Sequence, residues 1–151
     1  IDVVLYTSLS DTKEYTVTLT GAADFAGYQN VSYKETMTYT KSADLPVATV
    51  TDSNQKVVTV KFDKPVSGLT KEHFYHTFTG WTAKGIFEDA ALTNAITSSE
   101  KVTTVYVQFA TDGTGENPLQ AGNVDFHIKA KAGTEIKDNW ANKFAGADFT
   151  L

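Results

Sequence analysis

Val57-Val-Thr-Val-Lys-Phe-Asp-Lys-Pro-Val66 is the stretch whose reading decides the fold. Val58, Val60 and Phe62 fall on one side of an extended chain, and Thr59, Lys61 and Asp63 on the other. Alternation with period two marks a β-strand with one buried and one wet face. Pro65 cannot donate to a ladder, so the strand is expected to end there. An apolar strand face of this kind needs a second sheet to cover it, and the chain downstream is expected to provide one. Val105, Val107 and Phe109 alternate within 101–110, and Val124, Phe126, Ile128 and Ala130 alternate within 124–132. The expected core is therefore Val58, Val60, Phe62, Val105, Val107, Phe109, Phe126 and Ile128, with Lys61, Lys129 and Lys131 outside.

Outward from this stretch the chain reads as strands. Residues 2–9, 15–20 (Tyr15, Val17 and Leu19 inward), 31–40, 47–51 and 144–151 are further candidates, with a turn at Asp52-Ser53-Asn54. Residues 73–79 also read as a short strand. The Ala, Leu and Glu content of 87–96, FEDAALTNAI, suggests an irregular connection with one helical turn. Ser42-Ala-Asp-Leu-Pro46 has the composition of an extended linker. The expected division is 1–44 and 45–151.

Composition narrows the class. The chain has 151 residues, 41% hydrophobic and 12% aromatic, which is the composition of a folded protein rather than a disordered one. No apolar run approaches the roughly 20 residues that span a bilayer. The absence of a signal peptide fits a mature or excised fragment. Cysteine is absent, so disulfide and thiol chemistry are excluded. All 13 basic residues are lysine and the net charge is −5, which argues against phosphate and nucleic-acid partners that favour the guanidinium fork. An acidic, cysteine-free, threonine- and lysine-rich β-protein suits the outer surface of a Gram-positive cell.

Two turns repeat. Asp24-Phe-Ala-Gly27 follows one candidate strand, and Asp138-Asn-Trp-Ala-Asn142 follows another in the same order. An Asp side chain closes such a turn on its own backbone, and Gly or Asn accepts the left-handed conformation. Residues 1–44 thus read as the C-terminal half of one domain and 45–151 as a complete second copy, the pattern of a tandem array.

The run Phe62-Asp-Lys-Pro-Val66 followed by Leu69-Thr-Lys-Glu-His-Phe74 resembles the opening of the immunoglobulin-like repeats of bacterial surface-layer (S-layer) proteins. The repeated Asp turn extends this resemblance over essentially the whole chain. The usual turn is D-x-x-G-N: the first copy keeps Gly27 but has Tyr28, and the second keeps Asn142 but has Ala141. The resemblance implies an all-β, immunoglobulin-like β-sandwich in tandem. It also implies a structural module of a self-assembling layer, partnered by neighbouring copies in a two-dimensional lattice at the cell surface. An Ig-like or carbohydrate-binding module of a surface adhesin or secreted polysaccharide-active enzyme is the alternative.

Candidate sites are few. His73 and His76, three apart, lack a third ligand, and a zinc site needs three or four. His127 has no nucleophile elbow near it. Glu88-Asp89 are adjacent and would point to opposite faces of a strand, unlike a glycosidase pair. No catalytic residue is assigned, and an enzyme is not expected. The loop Asp112-Gly-Thr-Gly-Glu116-Asn117 combines oxygen ligands with glycines, as calcium requires, though a solvated hairpin loop has the same composition. Asp112 and Glu116 are its candidate ligands, with Asp63 or Asp138 at a domain junction as the other possibility. No other cofactor is expected. Phe74, Tyr75, Phe78 and Trp81, with Trp140, could form a sugar-stacking platform but more commonly fill a sandwich core.

Overall fold

A computed structural model describes residues 9, 13–29, 32–111, 116–129 and 134–151. The expected strand at 2–9, except Leu9, lies outside these residues, as do Val31, Asp112 and the 130–132 end of the 124–132 strand. The protein is all-β: the described residues contain no α-helix, and the one helical piece is a 3₁₀ turn at Lys71–His73. The chain divides into two compact units, Ile1–Ser42 and Ala43–Leu151.

In the first unit, β1 (Glu14–Leu19) pairs antiparallel with β2 (Tyr33–Thr38). The expected inward face of Tyr15, Val17 and Leu19 is not buried. Tyr15 is half-buried, while Val17 and Leu19 are about half exposed. Alternation can place residues on a common face, but burial needs a second layer over that face.

The second unit holds two sheets. One runs β3 (Ala48–Ser53), β4 (Val57–Ser67), β7 (Val102–Gln108), β6 (Gly85–Phe87), with β9 (Lys137–Asp138) also pairing with β4. The other runs β10 (Ala147–Thr150), β8 (Asp125–Ile128), β5 (Phe74–His76). All neighbours are antiparallel. The expected core is found in full: Val58, Val60, Phe62, Val105, Val107, Phe109, Phe126 and Ile128 are all buried and belong to one cluster drawn from both sheets. Lys61 and Lys129 are exposed, while Lys131 lies outside the described residues. Each such side chain removed from water contributes about 1.5–3 kcal/mol, and together they hold the layers face to face. Phe109 meets Phe126 across the core at 6.0 Å and 90°. Phe62 meets Phe144 at 5.5 Å and 82°.

Four expectations are corrected. β4 does not end at Pro65 but runs on to Ser67. The exposed proline lies in a register shift between Lys61 and Val66, where no ladder donor is needed, and β9 and the end of β7 take up the pairing beyond it. The turn after β3 centres on Asn54, whose Oδ1 accepts the Lys56 and Val57 N–H groups. A bulge at Thr51 lengthens β3 to Ser53. Residues 71–76 split into the 3₁₀ turn and β5, because the ring Nδ1 of His73 accepts the Thr70 N–H and holds the chain in that turn. Residues 87–96 contain no helical turn. The Asp89 carboxylate instead accepts the N–H groups of Thr93 (3.2 Å) and Asn94 (2.7 Å), and Leu92 takes φ 57°. Side-chain capture of backbone donors outcompetes a short run of helix formers.

Candidate functional site

Outside the core, two Asp-centred loops are closed by the same set of hydrogen bonds. Asp24 Oδ1 accepts the N–H groups of Ala26 (2.8 Å) and Tyr28 (3.0 Å). Asp138 Oδ1 accepts those of Trp140 (2.8 Å) and Asn142 (2.9 Å). In both loops the Asp N–H donates to the carbonyl four residues on, and the residue three on donates back to the Asp carbonyl. That residue is left-handed in each case, Gly27 at φ 84° and Ala141 at φ 63°. The flanking bridges also correspond, Ala23 with Gln29 and Lys137 with Lys143. The two copies of the sequence turn are one backbone motif made twice.

At the second copy the loop does further work. Asn142 Nδ2 donates to Asp138 Oδ2 (3.0 Å) and to the carbonyl of Asp44 (3.4 Å). Lys64 Nζ donates to the same Asp44 carbonyl at 2.9 Å. Asp63 Oδ1 accepts the Val47 N–H at 2.8 Å. The linker residues 44–47 are thereby fastened to β4 and to the Asp138 loop. Burial raises the Asp138 pKa, but hydrogen bonds from the Asn142 backbone and side chain and the Trp140 N–H outweigh it. The carboxyl is held below its usual value. It therefore stays charged, and a charged acceptor makes the stronger bonds.

The calcium candidates are placed differently. Glu116 pairs with Lys84 and accepts both the N–H and the hydroxyl of Thr111. The Lys84 bond, then those from Thr111, lower its pKa to about 2. Its partner Asp112 lies outside the described residues. Asp63 and Asp138 spend their carboxylate oxygens on the linker and on their own loop. Among the described residues no three His, Asp or Glu side chains group as a metal site.

His73 and His76 are both fully buried. His73 Nε2 meets the Thr134 hydroxyl at 3.0 Å, and His76 Nε2 donates to the Asn117 carbonyl at 2.9 Å, so each ring ties a loop to β5 or the turn before it. Glu88 and Asp89 lie in the 87–96 loop, where Asp89 has the closing role described above. The aromatic group is dispersed. Phe74 is core, stacked on Phe126. Phe78 is exposed, but Trp81 meets it at 88°, leaving no shared stacking plane. Trp140 sits in the Asp138 loop beyond β9, which pairs with the Ser67 end of β4. His76 and Trp81 pack near Phe109, beside the Val57 end.

One surface row was not anticipated: Tyr75, His127 and Asp148 lie opposite one another across β5, β8 and β10. Tyr75 stacks on His127 at 4.7 Å, His127 Nδ1 lies 2.5 Å from Asp148 Oδ1, and Lys129 reaches Asp148 at 3.2 Å. The His127 and then the Lys129 bond lower the Asp148 pKa, while Asp148 raises that of Lys129. Alternation signals that these side chains face outward, but cross-strand register, a non-local property, sets the row. The chain matches no known family model, no curated protein and no solved structure.

Proposed function

We propose that this chain is a piece of a tandem array of immunoglobulin-like modules in a self-assembling bacterial surface layer. Its work there is to set domain spacing and offer lateral contacts to neighbouring copies. The observation that carries the reading is the duplicated Asp loop, with the same hydrogen bonds, the same left-handed position and the same flanking bridge in both units. A motif rebuilt bond for bond in consecutive units supports a repeat. The hold on residues 44–47 ties the linker to its own module. Weak contacts repeated along such a chain multiply into lattice avidity without any one being strong.

The alternative, a glycan-binding module at the cell surface, calls for coplanar exposed aromatics, and the perpendicular Phe78–Trp81 pair does not provide them. Electron microscopy of the parent protein, run beside a glycan-array screen of this chain, separates the readings. Ordered sheets with an empty array are expected. Tight binding to one glycan without sheets under any calcium condition would overturn the proposal. Calorimetric titration of calcium, with and without chelator, checks the Asp112–Glu116 loop separately.

A further inference from the structure

The second unit's two sheets end in β3, β6, β5 and β10. β6 bonds outward to residues 94–96, with the Glu88 N–H on the Asn94 carbonyl and the Ile96 N–H on that of Ile86. β5 bonds outward to residues 81–83, with the His76 N–H on the Trp81 carbonyl and the Ala83 N–H on that of Phe74. β3 carries the bulge at Thr51, which breaks its edge as a template for another strand. β10 has neither device. It pairs with β8 on one side, and among the described residues no strand pairs with the other. The pairing with β8 decides which backbone groups of β10 are left over. Leu151 and Val124 exchange both of their backbone bonds, and antiparallel pairs of that kind recur at every second residue. Ala147, Phe149 and Leu151 therefore turn N–H and C=O toward β8, while Asp148 and Thr150 turn theirs outward. Ala147, Phe149 and Leu151 are also half-buried, forming a rim of the core along this edge.

We infer that the outer edge of β10 is a contact site for the same edge of a second copy of this chain, joined antiparallel about Phe149. In that register the Asp148 N–H of each copy donates to the Thr150 carbonyl of the other, and the Thr150 N–H donates to the Asp148 carbonyl. Phe149 faces Phe149 and Ala147 faces Leu151, apolar against apolar on the core side of the sheet. On the other side Asp148, already engaged by His127 and Lys129, meets Thr150. A register centred on Asp148 would instead set two carboxylates opposite each other, which is unfavourable. The strand thus complements itself, as a two-fold contact requires, and the sheet of β5, β8 and β10 continues into that of the copy. A strand this short makes a small and weak interface. That is the kind of lateral contact the proposed layer uses; this role rests on the surface-layer reading, whereas the geometry does not.

Light scattering and hydrogen exchange on the 151-residue chain, at micromolar and at millimolar concentration, test this. Dimers should appear at the higher concentration, and the amides of Asp148 and Thr150 should then exchange at least about 10-fold more slowly. The amides of Phe149 and Leu151, which already bond to β8, should change less. Thr150→Pro removes an outward donor that β8 does not use, so it should abolish the dimers and leave the fold intact. Thr150→Asp keeps the backbone donor but sets a carboxylate opposite Asp148, and should weaken association about 10-fold. A chain that stays monomeric at millimolar concentration would overturn the inference, as would dimers that persist in both variants. Dimers whose slowed amides lie in Ala48–Ser53 would overturn it too, since β3 would then be the joining edge. None of these readouts needs a lattice. Dimers through β10 without ordered sheets under the microscope would sink the surface-layer reading alone, and sheets without this contact would sink the inference alone.

Discussion

Ala141 holds a left-handed conformation that its counterpart Gly27 adopts without steric cost. A side chain there costs about 1–2 kcal/mol, and glycine returns up to about 1 kcal/mol of that in unfolded-state entropy. Ala141→Gly should therefore stabilise the second unit by a few tenths to about 1 kcal/mol in urea unfolding, and Gly27→Ala should weaken the first loop. The charged residues set an acid limit. A carboxyl whose pKa is depressed on folding stabilises the fold above its unfolded pKa and loses that contribution as pH falls through the folded value. For Glu116 the window runs from 4.5 down to about 2. Asp89, Glu135, Asp138 and Asp148 shift in the same direction, while Lys129, raised by Asp148, contributes until pH climbs through its raised value. Glu116→Gln should lower the melting temperature at pH 7 and lower it much less at pH 2, where wild type has lost most of the same contribution.

At the scale of the element, β4 is the strand on which the larger sheet is built, with β7 on one side and β3, then β9, on the other. Its far end depends on Gly68. At φ 83° with the Glu135 carbonyl oxygen 2.1 Å from where a Cβ would stand, the chain passes too close for any side chain. Gly68→Ala should cost more than about 2 kcal/mol, since the left-handed penalty alone is about 1–2 and the backbone at Glu135 must also move. Circular dichroism melts beside Ala141→Gly would show the two glycine positions with opposite signs. β4 was legible because its alternation is long and unbroken. β6 was not, because Gly85-Ile-Phe87 is too short to show a period, and it is a strand only through its pairing with β7. The 87–96 loop misled for a related reason: propensity counts side chains, whereas the Asp89 carboxylate acts on particular backbone donors.

At the scale of the whole molecule, the buried cluster of the described residues lies within Ala43–Leu151. Removing the first unit should shift the melting temperature of the second by no more than about 2 °C, because the linker clamp on Asp44 and Val47 is retained. A fall of more than about 5 °C in scanning calorimetry would show that the first unit carries part of the second unit's stability.

The sequence by itself determined the β class, the core face of β4, β7 and β8, and the closed form of the two Asp turns. Each depends on neighbours in the chain, either a period of two or a side chain reaching its own backbone. Only the tertiary structure decided which strands pair, and so the Tyr75–His127–Asp148 row, the hold of Lys64 and Asn142 on Asp44, and the engagement of Glu116 by Lys84. It also decided that Val17, on a strand as clearly patterned as β8, is exposed where Phe126 is buried. Alternation states which face of a strand is apolar, but burial belongs to the second layer, and that layer comes from residues distant in the chain.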